Sequence, residues 1–465
     1  MPEVRPTVEQ LLAKAYQPSK DAMELHPFYK GKYQITSKCC VRSLDDFAIW
    51  YTPGVAAPCK DIQANPGRVF DHTNKGNCIA VVSDGTRVLG LGNIGPEAGL
   101  PVMEGKALLF KYLGGVDAVP SCTDAHSAEE IIQFVKWLQP SFGGINLEDI
   151  EKPKCFTVLD RLRKECRIPV WHDDQQGTAA VTVAGLVNAL KLIGKRIDRA
   201  GIALLGAGAA NQAIARLLVL VGADPGRIVM ADSRGILHKG RSDIEHGDDP
   251  YKWDWTCRTN AEQRQGGQAE ALENQDVCIA LSKQGPGTLK VDWVKRMAKD
   301  AIVFACANPV PEMWPWEAEE AGCAVFATGR SDFPNQVNNS LGFPGIFRGT
   351  LDVRASTITD EMCVAAALEL AQVAADKGLR PDYIIPCMDE WEVFPREAVA
   401  VGRKAIEQGV AGIDHDRDTL YAMAEHAIRE ARAVVERLQE TGLIPLPATP
   451  AVDPGLRHCR PGDER

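Results

Sequence analysis

Residues 202–218, IALLGAGAANQAIARLL, form an apolar run, a glycine turn and a second apolar run with helical spacing. Gly206 would allow the tight turn, and Gly208 would let the backbone approach a pyrophosphate at the N-terminus of the helix. The third glycine of the G-x-G-x-x-G pattern is replaced by Asn211, so the match is incomplete. The next apolar run, RIVMAD, ends in Asp232, where a carboxylate would accept hydrogen bonds from a ribose. The stretch therefore predicts a Rossmann-type dinucleotide-binding domain.

The same region leaves the choice between NAD and NADP open. Asp232 would repel a 2′-phosphate and so favours NAD. Arg234, Lys239 and Arg241 follow closely and could instead pair with that phosphate.

Two pairs of acidic residues lie upstream of the glycine turn, each at the end of an apolar run. INLED ends in Glu148 and Asp149, and VWHDD ends in Asp173 and Asp174, with room for one helix between them. In a parallel sheet these four carboxylates would meet at one edge, where Mg²⁺ or Mn²⁺ would balance their charge. Because successive strand side chains point to opposite faces, Asp173 and Asp174 are expected to have different roles.

A glycine-rich stretch supplies further candidates for chemistry. SDGTRVLGLGNIG, residues 83–95, precedes Lys106, which we place at the start of a helix. The helix dipole would lower the pKa of a lysine there and favour a neutral amine that acts as general base. Arg87 is a candidate to hold a substrate carboxylate. Tyr51, before a Pro-Gly turn, could present a phenol as acid, although a single tyrosine in such a place more often packs.

The order of apolar and helical patterns predicts an α/β fold. It comprises an N-terminal parallel α/β substrate and metal domain (residues 1–175) and a Rossmann-type NAD(P)-binding domain (176–345). C-terminal helices (346–442) that pack back on the first domain and a tail (443–465) complete the chain. Apolar stripes on those helices fit packing within one chain as well as packing between copies.

Composition excludes several classes of protein. The net charge of −10 over 465 residues argues against a nucleic-acid partner. No apolar run approaches the ~20 residues of a membrane span, and the N-terminus lacks a signal-peptide pattern, so we expect a cytoplasmic protein. The 14 cysteines show neither zinc spacing nor a disulfide pattern, and we expect free thiols.

Taken together, the motifs resemble those of the malic enzyme family, in its short prokaryotic form without a phosphotransacetylase-like domain. The segments that carry the resemblance are YTPGVAAPC, SDGTRVLGLGNIG, GLPVMEGKALLFK, GGINLEDI, PVWHDDQQGTAAV, GAGAA, ANPVPE and NQVNNSLGFPGIFRG.

The resemblance implies metal-dependent oxidative decarboxylation of L-malate to pyruvate and CO₂ with reduction of NAD or NADP. It implies Glu148, Asp149 and Asp174 as metal ligands, Lys106 as general base, Asp173 as its orienting partner and Tyr51 as general acid. Substrate binding would fall to Arg87, Asn308 and Asn339. Cofactor binding would fall to Gly206, Ala207, Gly208, Ala209, Ala210, Asn211, Asp232, Asn308 and Asn338. The family also implies a homodimer or a dimer of dimers.

Three other functions remain open at this stage. A metal-dependent oxaloacetate decarboxylase on the same scaffold would not need the nucleotide loop, which the chain retains. An amino-acid dehydrogenase would need no metal and would leave the acidic set unexplained. A non-enzymatic dinucleotide sensor is disfavoured because Lys106 and Tyr51 are both present. Asn211, and Gln176 where relatives of the short form often carry histidine, depart from the family pattern at positions that bear on subtype and cofactor preference.

Overall fold

Two separate β-sheets organise the chain in a computed structural model that describes residues 7–447. The first sheet has four parallel strands in the order β2-β1-β3-β4. Its strands are β1 (Cys78–Ser83), β2 (Asp117–Cys122), β3 (Gly144–Leu147) and β4 (Val170–His172). The central strands are apolar and buried on both faces, as expected for a parallel sheet covered by helices.

The second sheet has six strands in the order β10-β9-β8-β5-β6-β7. Its strands are β5 (Ile202–Leu205), β6 (Ile228–Asp232), β7 (Gly235–Ile236), β8 (Val277–Ala280), β9 (Ile302–Ala305) and β10 (Val325–Thr328). All neighbours are parallel except β6 and β7. The predicted α/β fold is confirmed, and the short antiparallel strand β7 was not foreseen.

Twelve helices of nine or more residues surround the two sheets within the described part of the chain. They are α1 (Val8–Tyr29), α2 (Ala56–Ala64), α3 (Pro96–Gly114), α4 (Ala128–Leu138), α5 (Lys154–Glu165), α6 (Thr178–Leu192), α7 (Ala209–Leu220), α8 (Pro250–Arg258), α9 (Phe343–Asp352), α10 (Asp360–Asp376), α11 (Val393–Glu407) and α12 (Arg417–Glu440).

The C-terminal helices pack against α3 through aromatic ring contacts and through close approaches of the backbones. The ring of Phe110 lies 4.5 Å from that of Phe343 and 5.2 Å from that of Phe347, which places α9 against α3. A Cβ atom on Gly114 would lie 2.8 Å from the Pro344 carbonyl oxygen, and one on Gly115 would lie 2.6 Å from that of Ala427. Backbones this close leave no room for a side chain, so the end of α3 is fixed against α9 and α12.

The limits of the predicted domains stay predictions, and residues 448–465 of the predicted tail lie outside the described residues. Between residues 7 and 447, no helix has the length and apolar character needed to cross a bilayer. Every cysteine in that part of the chain is a free thiol, as predicted.

Candidate active site

The acidic residues meet at one edge of the first sheet, because β3 and β4 are parallel neighbours. Glu148 and Asp149 follow β3, and Asp174 follows β4. One carboxylate oxygen from each of these three residues lies within 4.8 Å of the others. The spacing expected from the sequence therefore does bring the three predicted ligands together.

Asp149 provides the best test of whether this group fits a cation. Its backbone has a φ of 55°, in the left-handed region, and its N–H donates to Asp174 Oδ2 at 2.8 Å. Its own Oδ2 atom is buried and has no hydrogen-bond partner among the described residues. Burial and the nearby charge of Asp174 raise the pKa of Asp149 to about 8, and burial raises that of Glu148. Crowded carboxylates with an unused oxygen suit a hard divalent cation such as Mg²⁺ or Mn²⁺.

Lys106 faces this group from α3, but its setting differs from the one predicted. The helix begins at Pro96, so Lys106 lies well inside it, away from the N-terminal dipole. Its Nζ lies 2.5 Å from Asp173 Oδ2 and 3.0 Å from Glu148 Oε1. Burial acts to lower the pKa of Lys106, but the charges of Asp173 and Glu148 outweigh burial and raise it. The prediction of a dipole-lowered pKa at a helix start was therefore wrong, because buried carboxylates control this amine.

Asp173 and Asp174 do take different directions, for a reason other than strand alternation. Strand β4 ends at His172, and residues 173–177 form one π-helical turn. This turn aims Asp173 at Lys106, with support from the Trp171 indole N–H at 3.3 Å. A side chain on Gly177 would collide with Asp173, so glycine leaves the carboxylate its space.

Asn339 lies beside the π-helical turn, whereas the side chains of Arg87 and Tyr51 are exposed. The Cβ of Asn339 would lie 3.3 Å from a Cβ placed on Gly177. Arg87 donates its backbone N–H to the Asp149 carbonyl at 2.9 Å, but its side chain is exposed and donates to the Leu89 carbonyl. Tyr51 is 70% exposed, and its hydroxyl makes no hydrogen bond within residues 7–447.

The glycine turn at the second sheet has the form expected for dinucleotide binding. Gly206 has a φ of 102°, and a side chain there would collide with the Leu281 carbonyl. Gly208 has open space at its Cβ position and stands as N-cap of α7 without a side-chain cap. The first-turn N–H groups, beginning at Ala209 and Ala210, therefore have no capping side chain.

Asn211, the departure from the glycine pattern, has a structural explanation. Its side-chain amide donates to the carbonyls of Leu205 at 3.0 Å and Gly206 at 2.7 Å. The carbonyl of Ala207 accepts from Lys152 at 3.2 Å and Gln212 at 3.3 Å. Side chains thus hold the turn where a third glycine would only have allowed close packing.

Asp232 ends β6 as predicted, but its carboxylate is already engaged. Arg241 donates to both oxygens, at 2.8 and 3.1 Å, and Lys252 donates to Oδ2. The Arg234 backbone N–H adds a further bond of 2.8 Å to Oδ1. Arg241 and Arg234 also contact Asp243. The charge of Asp232 is therefore balanced by cationic side chains at the end of β6.

Two other predicted residues lie in segments that follow strands of the second sheet, Asn308 after β9 and Asn338 after β10. Asn308 packs its side-chain amide against Gly329, where a Cβ would come within 2.7 Å of Nδ2. Asn338 uses its side chain to accept from the Ser340 N–H at 3.0 Å.

Two buried residues near the predicted metal ligands and the predicted nicotinamide residue were not identified from the sequence. His172 is fully buried, has no hydrogen bond to either ring nitrogen among the described residues, and holds Nδ1 3.7 Å from Asp174 Oδ2. Glu312 is fully buried beside the loop of Asn308. The only signal for Glu312 was its acidic character among the proline and aliphatic residues that follow Asn308 in the ANPVPE segment.

Comparison with protein families gives two matches that together span most of the chain. Residues 175–406 match the malic enzyme NAD-binding domain, and residues 30–130 and 122–163 match the malic enzyme N-terminal domain. The chain belongs to the malic enzyme family. It is therefore related to oxidoreductases that use NAD or NADP.

Several malic enzymes are similar to this chain over nearly their whole length. The bifunctional malic/malolactic enzyme of Bacillus subtilis (strain 168) is 50% identical over 397 residues, covering 85% of this chain and 95% of that protein. The NADP-dependent malic enzyme of Halomonas elongata is 44% identical, covering 82% and 92%. The crystal structure of Entamoeba histolytica malic enzyme superposes with a TM-score of 0.92 at 48% identity, covering 96% and 93%. Similar malic enzymes carry both NAD-dependent and NADP-dependent names.

Proposed function

We propose that this malic enzyme oxidises and decarboxylates L-malate to pyruvate and CO₂, reduces NAD⁺ or NADP⁺, and depends on Mg²⁺ or Mn²⁺. The observation that carries the proposal is the contact of the buried Lys106 amine with Asp173 and Glu148, beside the three-carboxylate group. A proton-transfer group next to a cation site is what oxidation of a hydroxy acid followed by loss of CO₂ requires.

We assign the cation to Glu148, Asp149 and Asp174, and removal of the malate C2 hydroxyl proton to Lys106, whose ammonium would first pass a proton to Asp173 across their hydrogen bond. The cation held there would supply Lewis-acid polarisation of the substrate, and NAD(P)⁺ would supply the hydride acceptor. Asp173 orients the Lys106 amine through the 2.5 Å hydrogen bond. The π-helical turn serves both tasks, because it aims one aspartate at the lysine and leaves the next for the cation.

For malate and the dinucleotide, we assign residues on both sheets. Arg87 and Asn339 would hold malate carboxylates or hydroxyl, and Asn308 would serve both malate and nicotinamide, with Asn338 nearby. The turn from Gly206 to Asn211 and the first turn of α7 would hold the pyrophosphate.

Tyr51 is proposed as the acid that protonates C3, and a homodimer is proposed with it. Phe47, Ile49 and Trp50 are exposed next to the 70% exposed Tyr51. Adjoining exposed apolar side chains are typical of an interface, so we propose that this segment packs on a second copy of the chain.

A cytoplasmic location is also proposed, and the free thiols suit a reducing compartment.

The test is formation of NAD(P)H from L-malate with Mn²⁺, comparing NAD⁺ with NADP⁺, with and without EDTA, while pyruvate is measured in parallel. We expect metal-dependent reduction with one pyruvate per NAD(P)H. Pyruvate from oxaloacetate without any malate oxidation would instead identify a metal-dependent oxaloacetate decarboxylase. Lactate from malate without net NAD(P)H would match the malolactic reaction in the name of the Bacillus relative.

A further inference from the structure

The carboxylate of Glu312 bridges the ends of two neighbouring strands in the second sheet. Its Oε1 accepts from the Ser282 N–H at 3.0 Å, just after β8. Its Oε2 accepts from the Ala307 N–H at 3.0 Å, just after β9. The side chain is fully buried, so both bonds are shielded from water. One side chain therefore fixes the separation of two strand-end loops.

Each of these loops leads to a part of the predicted dinucleotide site. On the β8 side, Gly206 of the glycine turn packs against Leu281, with Ser282 Cα 3.4 Å from its Cβ position. On the β9 side, Ala307 immediately precedes Asn308, which is assigned to the nicotinamide and malate. Glu312 thus lies behind both the pyrophosphate turn and the nicotinamide loop.

The backbone of the same segment strengthens this link. The Leu289 N–H donates to the Glu312 carbonyl at 3.1 Å, and the Gly285 N–H donates to the Val310 carbonyl at 3.2 Å. From the other side, the Arg330 guanidinium donates to the Pro309 carbonyl at 3.1 Å. The loop after β9 is thereby held on both sides, with Glu312 supplying the only carboxylate among these contacts.

We propose that Glu312 is a positioning residue for the dinucleotide, holding the loops after β8 and β9 at the spacing that cofactor binding requires. It acts through Ser282 and Ala307 and does not touch the cofactor. The inference rests on the proposed function only for the identity of the ligand, NAD(P). Burial raises the pKa of Glu312 to about 7, while the N–H bonds from Ser282 and Ala307 lower it and thus favour the charged form.

The test variant is Glu312→Gln, which keeps the size but presents an NH₂ group to one of the two backbone N–H donors. NAD(P)H affinity is measured by the fluorescence of the bound nucleotide, and Mn²⁺ affinity by calorimetry. We expect the Kd for NAD(P)H and the KM for NAD(P)⁺ to rise about tenfold, with Mn²⁺ affinity unchanged. The affinity for Mn²⁺ should not change, because the proposed metal ligands follow strands of the first sheet and Glu312 contacts the second.

Glu317→Gln is the matched control in the same segment. Glu317 accepts from the Trp314 N–H at 2.7 Å and caps a short helix, so we expect normal nucleotide affinity. An unchanged Kd in folded Glu312→Gln, or an equal loss in the control, would overturn the proposal. Should Glu312→Gln not fold, Glu312→Asp is used, because it keeps the charge but reaches one methylene less far. Failure of both to fold would assign Glu312 to the core alone.

This experiment separates the inference from the proposed function. Nucleotide binding is measured without malate, so loss of affinity in Glu312→Gln would support the inference even if the wild-type protein did not oxidise malate. Conversely, malate oxidation with an unchanged Kd in the variant would contradict the inference and leave the reaction intact.

Discussion

Replacing Lys106 with alanine removes the ammonium group that two buried carboxylates contact. The side chains of Lys106, Glu148 and Asp173 are 8%, 5% and 0% exposed, with ion-pair distances of 3.0 and 2.5 Å. Removing one partner of a buried ion pair costs about 3–5 kcal/mol, because the remaining charge stays buried and unpaired. For a chain of 465 residues, that loss corresponds to a fall in Tm of roughly 3–5 °C. Malate oxidation should fall by about 10²–10⁴-fold if Lys106 transfers the proton.

The matched control is Lys111→Ala on the same helix. Lys111 pairs with Asp117 at 2.7 Å, but these side chains are 42% and 28% exposed, so we expect a loss below about 1 kcal/mol and normal turnover. Thermal unfolding is followed with and without Mn²⁺, and turnover by NAD(P)H absorbance. Mn²⁺ binding should persist in Lys106→Ala because the three proposed ligands remain. Near-normal turnover would refute the role of Lys106 in proton transfer. A Tm equal to that of the control would refute the predicted stabilisation by its buried ion pairs.

Three further outcomes are expected. Asp149→Asn should weaken Mn²⁺ binding by about 10–100-fold in calorimetry, since it removes a charge and an unpartnered oxygen, whereas exposed Asp198→Asn should not. The pKa of Glu312 is raised from 4.5 to about 7, so its contribution to the free energy of unfolding is fully present below pH 4.5 and lost as the pH rises through 7. In denaturant titrations, the free energy of unfolding of Glu312→Gln should therefore depend less on pH across this window than that of the wild type. Tyr51→Phe should slow pyruvate formation about a hundredfold while the Kd for NAD(P)H stays normal; full activity would exclude Tyr51 as the acid.

The parts of the molecule that sequence predicted best depend on residues close together in the chain. The turn at Gly206 and the carboxylates after β3 and β4 follow from apolar runs that end in characteristic residues. Parallel pairing then brings Glu148, Asp149 and Asp174 together, because neighbouring strands end at the same edge. A local pattern and one rule of topology were enough for this group.

What could not be predicted depends on pairings distant in the chain. The environment of Lys106 is set by Glu148 and Asp173, and no local pattern reveals that their charges outweigh the effect of burial on its pKa. The role of Glu312 requires knowing that β8 and β9 are neighbours. Where Tyr51 acts was equally hidden, since its side chain is exposed in the single chain and its proposed role needs a second copy.

The close backbone contacts of Gly114 and Gly115 with α9 and α12 predict the effect of a truncating mutation. A premature stop codon shortly after residue 340 would leave the codons for every predicted metal ligand, both sheets and Lys106 intact. The product would nevertheless lose the helices against which α3, the helix that carries Lys106, is fixed. Such an allele should therefore behave as a null, although no residue with an assigned chemical role has been deleted.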